Sequence, residues 1–452
     1  MKNNKSVTII GGGLAGLSLG VALTDAGFKV RILEKNAYIG GRASNTIDPK
    51  TKDPVPIGPH IFVKGYEHFL GFLKKIGAEE AIAWERKFFL ELIYNGEHFQ
   101  FRMSDLPTSL LTLHRLLRYP FVNAKDKLSN LRFAFRILTA REEEIEKLDS
   151  LTAYDYLLSC GVSRNSINLM WRFFVLSMLN VPIELCSAAE LCFLIKYWAK
   201  LKNKHIGFAE VGLGDVYTKK AEEYIASRGG TFDKNMTVTG IVVNGNSVDH
   251  LVVESGNGSE IKLESDIYVS TLNPVQLKDL LPGEVLTTDF FKVLNAFEGV
   301  PYISVNIWLD KKLTHKKFWA ILDDATPRRH LNTDFYDLSN IYATRKGTSY
   351  IASNIIYSKE FESLSDTELV QKTLEELREI FPHMETKVIH SHVHRVPYVI
   401  YAPRPGMRKC KLPHQTPISN LYLCGDWTNR NMTQCMEAAV QSGFECAKII
   451  NR

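Results

Sequence analysis

Gly11, Gly13 and Gly16 follow a β-branched run, Val7 to Ile10, in G-x-G-x-x-G spacing. That pattern suits the binding of a diphosphate. Gly11 allows a tight turn out of a strand, Gly13 lets the anion approach the backbone, and Gly16 lets the next helix close on the sheet. Leu14 and Ala15 open that helix, an apolar stretch over 14–26, and its first N–H groups face the phosphate charge. A second apolar strand, Lys29 to Leu33, ends in Glu34, eighteen residues beyond Gly16. This is the place of an acid that holds ribose hydroxyls, and Lys35 beside it joins the candidate contacts. An acid there disfavours a phosphorylated ribose, so NADP is not expected. The competing reading is a glycine turn that opens a helix and binds nothing. The order strand, glycines, helix, strand, acid weighs against it.

Gly40, Gly41 and Arg42 follow the acid closely and offer further backbone donors and a cation to the same diphosphate. A solvated arginine on a surface turn is the alternative. At the other end, Leu421 to Cys424 reads as an apolar strand, Gly425-Asp426 follows at once, and a helix runs from about Gln434. The first stretch resembles the extended FAD-binding motif of two-domain flavoproteins such as amine oxidases and carotenoid desaturases. The C-terminal order resembles the second half of the same site. The resemblance implies that Asp426 serves the FAD ribityl chain or waters on the diphosphate. It also implies that the helix N-terminus near Cys435, Met436 and Glu437 points at the pyrimidine end of the flavin, where its partial positive charge supports the anion formed on reduction. Ala438, Ala439, Ser442 and Gly443 are small enough for that helix to pack closely on the cofactor.

The likeness narrows further. Gly58-Pro-His60-Ile-Phe62-Val-Lys64-Gly65-Tyr66 is similar to a stretch of plant-type phytoene and ζ-carotene desaturases that passes the isoalloxazine ring. His60 then contacts the flavin edge or the pocket, or is a hydrogen-bonded core histidine. Pro405-Gly406-Met407, the run Gln415 to Asn420 and Gly425-Asp426 resemble the ending of that family, and 204–230 resembles its centre. Val238 and Ile241 flank the place where this fold passes a strand beside the adenine. Three departures bear on substrate identity: Cys424 before the Gly-Asp pair, Ala438 in place of a glycine, and Gly214-Asp215-Val216, which is nearer the ζ-carotene type.

These residues need a large scaffold. The 452 residues are 45% apolar and carry a formal charge of +5, too mild for a nucleic-acid partner. Seven scattered cysteines without a C-x-x-C pair read as reduced thiols in a cytoplasmic protein, with no metal site. The first strand starts by residue 7, which leaves no room for a signal peptide, and no run reaches the roughly 18–20 apolar residues of a membrane span. The expected fold class is α/β: a Rossmann-type, glutathione reductase-like FAD domain from 1–84, 206–300 and 396–452, a mixed-sheet substrate domain from 85–105 and 301–395, and a helical cap over 106–205. Residues 67–77 read as an amphipathic helix, and 85–103 as strands turning at Asn95-Gly96. Strands are expected at 231–242, 246–254, 259–270, 302–310, near 340–356 and at 386–395, with a helix at 365–380. Residues 142–227 read as helical. Apolar and basic residues interleave over 106–140, with Arg115, Arg118, Lys125, Lys127, Arg132 and Arg136, which suits an interfacial helix on anionic lipid. A helix packed on the protein with solvated cations is the other reading.

The resemblance implies an FAD-dependent oxidoreductase that desaturates a long isoprenoid of the phytoene or ζ-carotene type by hydride transfer to flavin N5. A quinone-type acceptor then reoxidises the flavin. The protein would lie peripherally on a membrane, and homo-oligomers are compatible with it. No nucleophile triad or metal cluster stands out, and no single catalytic base is singled out. A hydroxysqualene dehydroxylase-like enzyme and a flavin amine oxidase are the alternatives within the superfamily. From another class, a prenyl-protein binder of the GDP-dissociation-inhibitor type shares the fold.

Overall fold

The computed structural model describes residues 4–85, 89–102, 119–203, 205–324, 328–343 and 347–452. Its nucleotide-binding unit is built on a five-stranded parallel sheet. The order is β10 (Thr231–Lys234), β2 (Lys29–Glu34), β1 (Ser6–Ile10), β14 (Ile267–Ser270) and β20 (Leu421–Leu423). Val7, Ile9, Ile32, Val269, Leu421 and Leu423 are almost wholly buried, as strands covered on both faces require. Three distant parts of the chain therefore meet in one sheet. Helix α1 (Leu14–Asp25) packs on the C-terminal helix α8 (Met436–Ile450). At their crossing a Cβ on Gly443 would collide with Ser18 Oγ and lie 2.8 Å from the Ala15 carbonyl oxygen. Helix α2 (Glu67–Ile76) buries Phe69, Phe72 and Leu73 in the same core and ends at Gly77, whose φ of 69° suits a glycine cap.

The second unit is a seven-stranded mixed sheet. Its order is β19 (Val388–Tyr401), β15 (Gly299–Leu309), β18 (Tyr350–Ile356), β17 (Asp334–Asp337), β16 (Phe318–Ile321), β7 (Phe89–Tyr94) and β8 (Glu97–Arg102). The β7–β8 hairpin turns at Asn95-Gly96, both with positive φ. Helix α7 (Asp366–Ile380) starts in a capping box of Ser365 and Glu368 and covers one sheet face through Leu369, Leu374 and Leu377. A separate helical core contains α3 (Ala124–Thr139), α4 (Arg172–Leu179) and α5 (Ala188–Lys200) around Phe133, Trp171, Val175 and Leu191.

Several expected boundaries change. The stretch 231–242 divides at Asn235, which has φ 56°: β10 joins the parallel sheet, while β11 (Met236–Asn244) pairs with β12 (Ser247–Ser255). The stretch 259–270 likewise divides into β13 (Glu260–Leu263) on β12, and β14. Both halves of each stretch have strand propensity, so only tertiary pairing separates them. Within 142–227 the chain is not all helical: between α5 and α6 (Thr218–Ala226), β9 (Ile206–Ala209) pairs with β5 (Phe62–Val63) and β6 (Ile82–Trp84), and all four of its residues are buried. In α3, Asp126 does not face the basic residues. Its carboxylate is buried and takes hydrogen bonds from the Ser163 hydroxyl and Asn165. Residues 103–118, with Arg115 and Arg118, lie outside the described residues.

Candidate functional site

The turn after β1 is formed by close backbone contacts. Gly11 has φ 107° and its N–H donates to the Leu33 carbonyl at 2.8 Å. A Cβ on Gly16 would run into the Gly11 carbonyl oxygen, so helix and turn touch directly. At Gly13 a built Cβ would meet, among the described residues beyond its own stretch of chain, just the Gly41 Cα at 3.9 Å. That opening sits at the start of α1, which has no side-chain cap, so its first N–H groups can receive an anion. Gly40 closes the far side, its N–H donating to the Gly12 carbonyl at 2.8 Å. Leu14 and Ala15 begin α1 and are buried.

Glu34 is buried at the end of β2. One carboxylate oxygen accepts the Gly12 N–H at 3.0 Å, and the other accepts the N–H and side-chain amide of Asn36, each at 2.9 Å. These bonds fix the acid beside the glycine turn. Lys35 is exposed next to it, and the local hydrogen bonds to Glu34 come from Asn36 instead. Val238 is partly buried against the cluster that holds Ile10 and Leu33, so β11 lies beside the ends of β1 and β2.

The two ends of the chain meet at Arg42. Its guanidinium donates to both Asp426 oxygens, at 3.1 and 3.2 Å, and to the Val399 carbonyl at 2.6 Å. Gly425 has φ 145°, and its N–H donates to Ser442 Oγ at 2.7 Å. His60 Nδ1 lies 2.6 Å from the Gly58 carbonyl oxygen. Burial, reinforced by the Arg42 cation and opposed by that carbonyl, holds the imidazole below its ordinary pKa, so His60 is neutral at pH 7. The Tyr398 hydroxyl, whose electrostatic neighbours are Arg42 and Asp426, is buried without a hydrogen-bond partner.

Helix α8 begins at Met436, buried in the same core cluster as Leu14 and Ala15. Cys435 precedes it without capping it, and burial raises the thiol to about 12. Glu437 turns away from this end: its carboxylate accepts the N–H groups of His68 at 2.9 Å and Phe69 at 2.7 Å, capping α2. Gly443 packs against α1, not against a cofactor as the sequence suggests, because the collision at Ser18 requires a bare backbone there.

Sequence reasoning misses several contributors. Tyr217 lies within 2.6 Å of the Ala43 carbonyl oxygen and 3.1 Å of that of Gly40. Thr271 Oγ1 donates to the carbonyls of Ile10 and Gly11, at 2.9 and 3.0 Å. Tyr398 and Asn36 belong to no motif. The sequence signal for the first of these was only a buried aromatic ahead of a helix.

These features fit a dinucleotide carrying a flavin. They include an open glycine cradle, a ribose-side acid that touches it, an Arg–Asp pair with an orphaned tyrosine hydroxyl nearby, and a second uncapped helix. No cluster of His, Cys, Asp or Glu suited to a metal occurs among the described residues.

Comparison with known proteins agrees. The family model described as flavin containing amine oxidoreductase matches residues 14–451. A 15-cis-phytoene desaturase of Narcissus pseudonarcissus is 28% identical over 460 residues, covering 98% of this chain and 79% of the relative. A zeta-carotene desaturase of Arabidopsis thaliana is 25% identical over 477 residues, covering 98% and 85%. Among solved structures, an oxidoreductase from Methanosarcina mazei superposes with a TM-score of 0.73 at 16% identity, covering 99% of this chain and all of that one.

Proposed function

The chain belongs to the family of flavin-containing amine oxidoreductases, and from that premise we propose that it desaturates a long isoprenoid of the carotenoid-precursor type. FAD is the cofactor. The observation that carries the substrate class is the likeness, along nearly the whole chain, to phytoene and zeta-carotene desaturases.

When bound, FAD supplies a two-electron acceptor able to take a hydride from carbon. The protein supplies the rest. Glu34 and the glycine turn would hold the nucleotide end of FAD, and Arg42 with Asp426 would serve a part further along it. The uncapped N-terminus of α8 would support negative charge on the bound group. Neutral His60 adds no second cation beside Arg42. A hydrocarbon offers no ionised handle, so orientation and exclusion of water do most of the work. Apolar side chains from three parts of the fold converge for that purpose: Val55 and Ile61 from the flavin side, Ala320 and Ala352 from the mixed sheet, and Leu169 and Met170 from the helical part.

A lipid-soluble substrate and a quinone-type acceptor both reside in a membrane, and α3 offers a surface for it. Phe135, Leu128 and Leu138 are exposed on that helix, Phe135 by 71%, among Lys125, Arg132 and Arg136. No helix among the described residues is long and apolar enough to cross a membrane, so the reading is a peripheral one. Seven free cysteines support a reducing, cytoplasmic setting.

The test is incubation of holoprotein in anionic liposomes with a quinone and, separately, phytoene, ζ-carotene, hydroxysqualene and amines. The expected product comes from one of the first two and is lighter by two hydrogens. Turnover of the amines alone, or of hydroxysqualene alone, contradicts the reading.

A further inference from the structure

One face of the mixed sheet carries a polar row that a hydrocarbon pocket does not require. Across β19, β15, β18, β17 and β16 the paired residues are His394, Ser304, Asn354, Asp334 and Ala320. Asn354 Nδ2 donates to Asp334 at 2.7 Å, and the Tyr302 hydroxyl donates to the Asn354 side-chain oxygen. Tyr302, Asn354 and Asp334 are all buried.

Asp334 is the exception among the buried carboxylates of the described residues. The others either face a lysine, arginine or histidine or accept two or more hydrogen bonds. Asp334 has the single bond from Asn354. A buried carboxyl with so few partners leaves hydrogen-bonding capacity unused, which is costly unless something else takes it up. Burial, opposed only by that one bond, raises it to about 7, so the protonated carboxyl is accessible near neutral pH. A protonated carboxyl both donates and accepts.

The position is equally specific. Two of its neighbours on that face are small, Ala320 opposite and Ala352 beside Tyr336. Both alanines belong to the apolar convergence of sheet, helical part and flavin-side chain. The Tyr302 oxygen reaches the flavin side directly: a Cβ on Gly58 would stand 2.9 Å from it, and Gly58 is the residue whose carbonyl meets His60. Having given its proton to Asn354, the phenol oxygen can accept, and the Ser304 hydroxyl beside it already uses part of that capacity.

We propose that Asp334, Asn354 and Tyr302 form a polar subsite for a hydroxyl group, so that among carotenoid precursors the site favours one carrying a hydroxyl over the plain hydrocarbon. An alcohol matches this set because it donates to one oxygen and accepts from another. A protonated amine would force ionisation of Asp334 with no other compensation in a buried place. The inference rests on the isoprenoid reading of the site.

The experiment uses flavin-loaded protein under anaerobic conditions with phytoene and its 1-hydroxy derivative in phosphatidylglycerol–phosphatidylcholine vesicles, following perturbation of the flavin absorbance. The hydroxy compound is expected to bind about tenfold more tightly, as one additional buried hydrogen bond supplies. Asp334→Leu should bring the two affinities within about twofold of each other, with the spectrum of the bound flavin as in the wild type. Tyr302→Phe, which removes one oxygen only, should reduce the preference too, and it keeps the test open where Asp334→Leu does not fold. Equal binding by the wild type, or a preference that survives these variants, overturns the subsite alone. No spectral response to either compound overturns the subsite and the isoprenoid reading together.

Discussion

Glu34 shows how a single side chain serves both fold and ligand. It accepts from Gly12 and Asn36 in the protein alone, so its position is set before any nucleotide arrives. Glu34→Ala is expected to weaken FAD retention by roughly ten- to a hundredfold, the worth of a charge-assisted hydrogen bond. Far-UV circular dichroism should be unchanged; unaltered flavin stoichiometry after dialysis would count against the ribose role. Asp48 makes a separate, pH-dependent contribution. Burial would raise its carboxyl, but the Thr51 N–H, the His390 ring and the Lys50 N–H bring it down to about 2. A lowered carboxyl stabilises the fold above its unfolded value and loses that contribution as pH falls through the folded one. The stability difference between wild type and Asp48→Asn should therefore be roughly 2 kcal/mol above pH 4 and vanish toward pH 2, measured by urea unfolding. The glycines, Glu34, Arg42 and Asp426 were legible because backbone approach and anion binding dictate residue type at short spacing. Tyr217, Asn36 and Tyr398 were not, since any buried tyrosine or turn asparagine reads the same until a distant segment arrives beside it.

Among elements, the α1–α8 crossing matters most, because it sets the two uncapped helix ends relative to each other. Gly443→Leu would force the helices apart at Ser18 and Ala15. Overpacking of this kind costs about 1–3 kcal/mol, so a lower thermal midpoint together with faster flavin loss is expected. A full midpoint with normal flavin retention would show that the crossing tolerates displacement. Helix α2 depends on the same region, since Glu437 caps it from across the core. Element type was largely readable from periodicity: α7 and the β7–β8 hairpin follow from their caps and turn residues. The divisions at Asn235 and between β13 and β14 were not readable. Strand-forming residues run through both, and only the partner sheets tell the halves apart.

Across the whole molecule, the ends of the chain close one site, and a buried ion network ties the helical part to the segment leading into it. Glu190 receives Arg408 and Lys411, each at 3.0 Å, and Lys411 also donates to the Asn429 carbonyl at 3.2 Å just ahead of α8. Burial would raise the Glu190 carboxyl, but the two cations hold it below its ordinary value. The helical part also presents α3 outward. Phe135→Glu combined with Arg132→Glu should cut co-sedimentation with phosphatidylglycerol vesicles at least tenfold, since each basic residue near an anionic surface is worth about 1 kcal/mol and the exposed ring adds more. Unchanged co-sedimentation would remove α3 from the membrane face. The central claim is that one flavin, held by both ends of this chain, oxidises an isoprenoid. Its most direct test is a single anaerobic turnover of flavin-loaded protein with an excess of carotenoid precursor in liposomes. Loss of the oxidised-flavin absorbance, matched mole for mole by a product two hydrogens lighter, is the predicted result. Flavin that stays oxidised with every isoprenoid but bleaches with an amine would contradict it.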